Sequence, residues 1–216
     1  MATETRLPLN RGRILQAALE LADEQGIDAV TMRKLGQLLG FEAMSLYNHV
    51  ANKVDLLDGI LDLVLAETEP PAPEGDWDEA VRASAISIHA ALRRHPWSSS
   101  LLMTGSIRPA RLRYMDSLLG RLRKAGFSAE TTYAVYHLLD GHIFGFALWE
   151  ASYNLTAEDA EKLAASVMPM LADYPYLREH GDQHMSEGPH HEVSAFELGL
   201  DLILDGLRKM HDTGSP

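Results

Sequence analysis

Between Thr31 and Lys53 the chain reads TMRKLGQLLGFEAMSLYNHVANK, and its outward-facing residue types suit contact with DNA. Ser45 and Asn48 can hydrogen-bond base edges, and Ala43 or Met44 can meet a thymine methyl group. Tyr47 and Lys53 suit phosphate oxygens, while Arg33 suits either a phosphate or a guanine edge. Such contacts need a narrow helix held in one pose, so a frame is required. Leu35, Leu38 and Leu39 supply the apolar face of a helix that Thr31 caps. Gly40 can take the positive φ of a tight inter-helix turn. Leu46 anchors a second short helix, expected over 43–49. The same spacing also fits plain packing of Leu46, Tyr47 and His49 in a helical bundle.

A second stripe lies further on. Tyr133, Tyr136, His137, Asp140, Gly141 and Phe144 share one face of a long helix at three- and four-residue spacing. A Tyr-His-Asp stripe in apolar surroundings suits a small-molecule pocket with a few orienting polar groups, and it equally suits core or interface. Four histidines, His180, His184, His190 and His191, suggest metal at first sight. Their spacing is loose, and no cysteine or carboxylate pattern supports them. The stretch 178–193 is expected to be a solvated loop, with no metal site. His89, His137 and His142 accompany no nucleophile motif and no glycine-rich phosphate loop. Neither an enzyme nor a bound cofactor is expected.

The elements that must hold these residues read as helices throughout. Asn10 is a candidate N-cap for a helix carrying Ile14, Ala17, Ala18, Leu21 and Ala22, ended by Gly26 in a left-handed conformation. Asn52 with Asp55 caps a helix bearing Leu56, Ile60 and Val64. Prolines 70, 71 and 73 then break the chain. Asp76 with Glu79 is expected to cap the next helix, and Pro109 to open the one bearing Leu112, Met115, Leu118, Leu119 and Leu122. The stretch 128–152 is apolar nearly all round, which calls for cover on every side. A helix over 156–170 and a closing one bearing Phe196, Leu200, Ile203, Leu204 and Leu207 complete an all-α chain, with no repeat and no convincing strand.

Of 216 residues 46% are hydrophobic, enough for a sizeable core, and the net charge is −12. Residues 1–53 carry six Lys/Arg and six Asp/Glu, so the negative excess lies wholly beyond them. An acidic body beside a neutral head disfavours docking on phosphates by the wrong face. There are no cysteines, the first ten residues lack an apolar core, and no apolar run spans a membrane. A soluble cytoplasmic protein is expected.

The pattern T-x-R-x-L-x-x-x-x-G-F followed by L-Y-x-H-V-x-N-K, with Ile14, Ala17, Ala18, Leu21 and Gly26 before it, resembles the DNA-binding domain of the tetracycline-repressor (TetR) family. More loosely, Trp77, Arg108-Pro109, Tyr114, Phe127-Ser128, Gly145 and the last helix resemble the C-terminal class of the tetracycline repressor itself. The resemblance implies a DNA-binding domain over 9–56 and an effector-binding and dimerisation domain over 57–211. It places Thr31, Arg33, Ala43, Met44, Ser45, Tyr47, Asn48, His49 and Lys53 at the DNA face. Ala43 and Met44 depart from the tetracycline repressor, implying a different operator.

The same resemblance implies a homodimer on a palindromic double-stranded DNA operator, paired through helices 128–152 and 195–210. Gly141, Gly145, Ala147, Gly199 and Gly206 would allow close helix approach. It also implies a small-molecule effector in the body, with Ser84, Ile88, Leu102, Met103 and Ser117 facing the stripe of Tyr133, Tyr136, His137, Asp140 and Phe144. The polar residues that grip a tetracycline–magnesium complex are not recognisable. Two alternatives stay open: a regulator without an effector, and a helical protein that has lost DNA binding.

Overall fold

The computed structural model describes residues 8–104, 109–152, 157–186 and 194–213, and among these every regular element is helical. Helix α1 (Arg11–Gln25) starts at Asn10, whose Oδ1 accepts the Arg13 amide at 2.9 Å. It ends at Gly26, with φ 81° and ψ 161°: a positive φ, but extended and not the left-handed helical turn expected. Helix α2 (Met32–Leu39) starts at Thr31, whose Oγ1 accepts the Lys34 amide at 3.2 Å. Gly40 is left-handed at φ 73° and turns the chain into α3 (Ala43–Leu46). That helix is shorter than expected: residues 47–49 form turns whose amides bond to carbonyls three residues back.

Helix α4 (Lys53–Ala66) follows Asn52, whose Oδ1 accepts the Asp55 amide at 2.9 Å. Ile14, Ala18, Leu21, Leu35, Leu46, Val50, Leu56, Ile60 and Val64 form one core, so α4 packs along its length with α1–α3. Leu38 does not join it and is 60% exposed. The buried side of α2 centres on Leu35 and Gly36, and at 100° per residue position 38 turns away from Gly36.

The body comprises α5 (Trp77–Arg94), α6 (Ser98–Thr104), α7 (Pro109–Lys124), α8 (Ala129–Ser152), α9 (Ala157–Val167), α10 (Pro175–Ser186) and α11 (Ala195–Thr213). Helices α5, α7 and α11 pack around α8, and Ile88, Leu118, Leu139, Ile143, Phe144, Phe196, Leu200 and Leu204 fill the centre. Leu112 points out to solvent, unlike its neighbours on α7. Asp76 precedes α5, but its carboxylate caps nothing; Asp78 Oδ1 accepts the Glu79 amide instead.

The proline strap 70–75 lies over α7. Buried Arg121 donates to the carbonyls of Gly75 and Pro73, while the Ser84 hydroxyl donates to the Glu69 carbonyl at 2.7 Å. The stretch expected as a loop over 178–193 is helical through Ser186, opened by Pro175, which suits a first helical turn. His190 and His191 lie outside the described residues, as do the side chains of His180 and His184.

Candidate nucleic-acid interface

The outer face of the head is held from behind. Leu46 is wholly buried, and Gly36 lets α2 approach the turn so closely that a Cβ there would lie 2.8 Å from the Phe41 carbonyl oxygen. The Phe41 amide closes that contact on the Gly36 carbonyl at 2.8 Å. Outward from this frame stand Arg33, Met44, Tyr47, Asn48, His49 and Lys53, all exposed, with Ala43 and Ser45 half-buried at the base of α3. Thr31 is exposed too, but its hydroxyl is engaged as the cap of α2. The expected DNA-facing residues thus lie on α2, α3, the turns after it and the start of α4, with Ala43 and Ser45 less exposed than the rest.

A clamp that sequence reasoning missed fixes the loop after α3. Arg11 donates to both Asp55 oxygens at 2.7 and 2.8 Å and to the His49 carbonyl at 3.3 Å. Asp55 Oδ2 also accepts the Ala51 amide at 2.8 Å. The Arg11 hydrogen bonds, followed by that amide, hold the Asp55 carboxyl below its ordinary range. This sets the start of α4, and with it Lys53, relative to the recognition turn. A separation of 44 residues leaves no local signal for such a pair.

At the other end of the head, a buried imidazole joins it to the body. His95 Nδ1 lies 2.8 Å from Asp23 Oδ1 on α1, and its Nε2 lies 3.1 Å from Glu67 Oε1 at the end of α4. Trp97 Nε1 donates to the same Asp23 oxygen at 2.7 Å, and Arg94 donates to Glu67 at 2.7 Å. Burial pushes the Glu67 carboxyl up, but the hydrogen bonds from Arg94 and His95 outweigh it and hold it below the usual range.

The residues expected to line an effector pocket are dispersed. Tyr136, Asp140 and Phe144 do come together, around an arginine that was not foreseen. Arg111 pairs with Asp140, lies over the Phe144 ring at 4.3 Å, and its Nη2 is 3.4 Å from the Tyr136 hydroxyl. Burial raises the Asp140 pKa more than Arg111 lowers it. Arg111 Nη1 and Asp140 Oδ1 are buried without a partner. Tyr133 and His137 turn outward and, with Tyr136, line an apolar groove of about 440 Å³ beside Met115 and Leu119.

The rest lie apart from that cluster. Ile88 is sealed in the core, Leu102 is half-buried against it, and Met103 is 53% exposed. Ser84 is spent on the strap. Ser117 faces the strap from α7.

Two sequence profiles match the chain: "Bacterial regulatory proteins, tetR family" over residues 14–60, and "Tetracyclin repressor-like, C-terminal domain" over residues 69–211. The chain belongs to the TetR family. Among its relatives, the transcriptional repressor DrrR1 of Streptomyces coeruleorubidus is 33% identical, covering 92% of this chain and 77% of that protein. The class C tetracycline repressor of Escherichia coli is 31% identical over 95% of this chain and 93% of its own. Among solved structures, ActR of Streptomyces coelicolor in complex with actinorhodin superposes with a TM-score of 0.72 at 31% identity, over 94% of this chain and 99% of that one.

Like its TetR relatives, the protein is a DNA-binding transcriptional regulator and not an enzyme. No described helix is long and apolar enough to cross a membrane. The α2–turn–α3 geometry is the family's helix-turn-helix; the first profile match ends at residue 60, within α4, and the second begins at residue 69, past its end.

Proposed function

We propose that this TetR-family regulator is a homodimeric repressor that reads a palindromic operator and is released by a small-molecule effector. Residues 9–56 read the DNA, and residues 57–211 dimerise and take the effector. The observation carrying the reading is the outward set of Arg33, Met44, Tyr47, Asn48, His49 and Lys53 on a frame locked by Leu46, Gly36 and the Arg11–Asp55 clamp. Tyr47 and Lys53 hold phosphates, and Ser45, Asn48, Met44 and Ala43 meet base edges.

Dimerisation is supported by an apolar face left bare on one chain. Leu138 and Leu148 on α8 and Leu198 and Leu202 on α11 are exposed, and Cβ positions at Gly141, Gly145 and Gly206 meet nothing within 4 Å. Ala147 and Gly199 serve the chain's own core instead: Ala147 is buried, and a Cβ on Gly199 would lie 2.5 Å from His142. Two heads paired this way present recognition helices to successive major grooves when about 34–36 Å apart. The effector works by preferring a dimer with a different spacing; equal affinity for both states would shift nothing.

Selection of bound DNA from a random pool tests this reading. The expected product is a palindrome whose binding weakens steeply with salt. Recovery of no common sequence, with Tyr47→Ala and Lys53→Ala binding DNA as the parent does, overturns it.

A further inference from the structure

We infer that the groove between the proline strap and α7 binds an organic anion, an acid group joined to an apolar ring, whose occupancy presses on the end of α4. This rests on the reading of the chain as an effector-responsive regulator and names the chemistry of the effector.

Two adjoining hollows of about 430 and 370 Å³ share Pro70, Asp116 and Ser117. One end is walled by Leu65, Ala66, Ala110 and Tyr114 with Thr68 and Arg113 at its side; the other carries Arg121 and Lys124. The positive charge stands out because residues 54–216 carry the whole net −12 of the chain. Helix α7 nevertheless bears Arg111, Arg113, Arg121, Arg123 and Lys124 against a single acid, Asp116. Arg111 is taken by Asp140, and Arg123 by the Phe127 carbonyl. Arg113 and Lys124 are exposed and have no counter-ion among the described residues.

Arg121 adds an independent sign. It is 8% exposed, spends two N–H groups on strap carbonyls, and leaves its Nε buried with no acceptor. That Nε is itself closed off from solvent, so Arg121 lends positive charge to this end of the groove, and the exposed Lys124 ammonium is the donor that an acid oxygen can bond. Asp116 stands mid-groove and repels a central anion, so the acid belongs at the Arg121–Lys124 end with the ring toward Leu65 and Tyr114. Arg113 and Arg121 are eight residues apart on α7, about 12 Å along the axis, so both ends fit one molecule with a ring and an acid.

The Leu65 end touches the regulatory lever directly. Leu65 and Ala66 close α4, whose first residue is Lys53 at the DNA face, and Leu56, Ile60 and Val64 seat that helix in the head core. A ring wedged at Leu65 tilts α4 and carries the head with it.

Titration calorimetry of the full chain with 2-naphthoate and with 2-naphthamide, which share a ring and differ in charge, tests the site. The naphthoate should bind once per chain and the amide at least tenfold more weakly. Lys124→Ala should weaken the naphthoate about tenfold or more, and Arg113→Ala less; both side chains are exposed, and unchanged melting confirms the fold. Equal affinity for acid and amide, no naphthoate binding, or a Lys124→Ala variant that binds like the parent overturns the assignment. So does binding lost in step with dimer formation, which would mean that a second copy fills the groove. This titration contains no DNA, so it fails separately from operator recognition. In a second arm, naphthoate should weaken operator binding by the parent and not by Lys124→Ala; bound naphthoate with unchanged operator affinity overturns the lever.

Discussion

The Arg11 guanidinium grips both oxygens of Asp55 at 2.7 and 2.8 Å, tying the first turn of α1 to the first turn of α4 just behind the recognition turn. Both side chains are partly exposed, so the pair is worth only about 0.5 kcal/mol of stability. Its larger effect is on position. Arg11→Ala and Asp55→Asn should each weaken operator binding about tenfold, measured by fluorescence anisotropy, while shifting the melting temperature by only a degree or two. The folded Asp55 pKa is depressed, so its stabilising contribution is complete above the unfolded value and is lost as pH falls through the folded one. Stability of the parent relative to Asp55→Asn should therefore be constant near neutrality and shrink only in strongly acidic buffer. A loss setting in at pH 6–7 would contradict this assignment.

Leu46 and Met44 separate the buried framework from the outer face within one helix. Leu46 is fully buried, so Leu46→Ala should cost about 2–4 kcal/mol by transfer and cavity terms, seen in denaturant unfolding. Met44 is 74% exposed, and Met44→Ala should stay within about 0.5 kcal/mol of the parent. Its effect should fall on sequence choice: a changed preference at one base pair of the selected operator, with phosphate-driven affinity intact. A uniform loss across all sequences would place Met44 outside the base contacts.

What could be read from the sequence and what could not divide by distance along the chain. Asn10, Thr31 and Asn52 each cap a helix by accepting the amide three residues on, a local interaction that residue type announces. Gly40 was legible for the same reason. Asp23 on α1, Glu67 just past α4 and His95 just past α5 meet across long separations, and Arg111 finds Asp140 29 residues away. Helix phase put Tyr136, Asp140 and Phe144 on one face correctly, but phase does not say which neighbour that face meets. Thus Tyr133 and His137 fall outside the buried set, and Ser117 looks at the strap from the opposite side of α7. Leu38 was misplaced because three leucines in a two-turn helix cannot all face a core centred on Gly36.

Leu202 on α11 is 66% exposed and Leu138 on α8 is 51% exposed, an arrangement one chain alone leaves in water. Leu202→Glu with Leu138→Glu should give a folded monomer by sedimentation, with helicity kept. Operator binding should drop by two orders of magnitude or more, since one neutral head then binds alone. A double variant that still dimerises and binds as the parent does would move the interface elsewhere.

His95 and Trp97 both reach Asp23 Oδ1, at 2.8 and 2.7 Å, so one carboxylate of the head is held by two groups of the body. Trp97→Phe removes a single donor and should cost about 1 kcal/mol, while His95→Ala strips partners from Asp23 and Glu67 together and should cost about 1–3 kcal/mol. The energetic loss is the smaller consequence. With the joint open, α1 and the end of α4 are held to the body chiefly by packing, around Ala91 and Trp97 and between α4 and α7. His95→Ala should therefore melt in two calorimetric steps, head before body, where the parent melts in one. Hydrogen exchange should quicken in α1 and α4 and stay unchanged in α8. If the variant melts in one step with exchange spread evenly, the joint is ordinary packing and head and body are coupled elsewhere along α4.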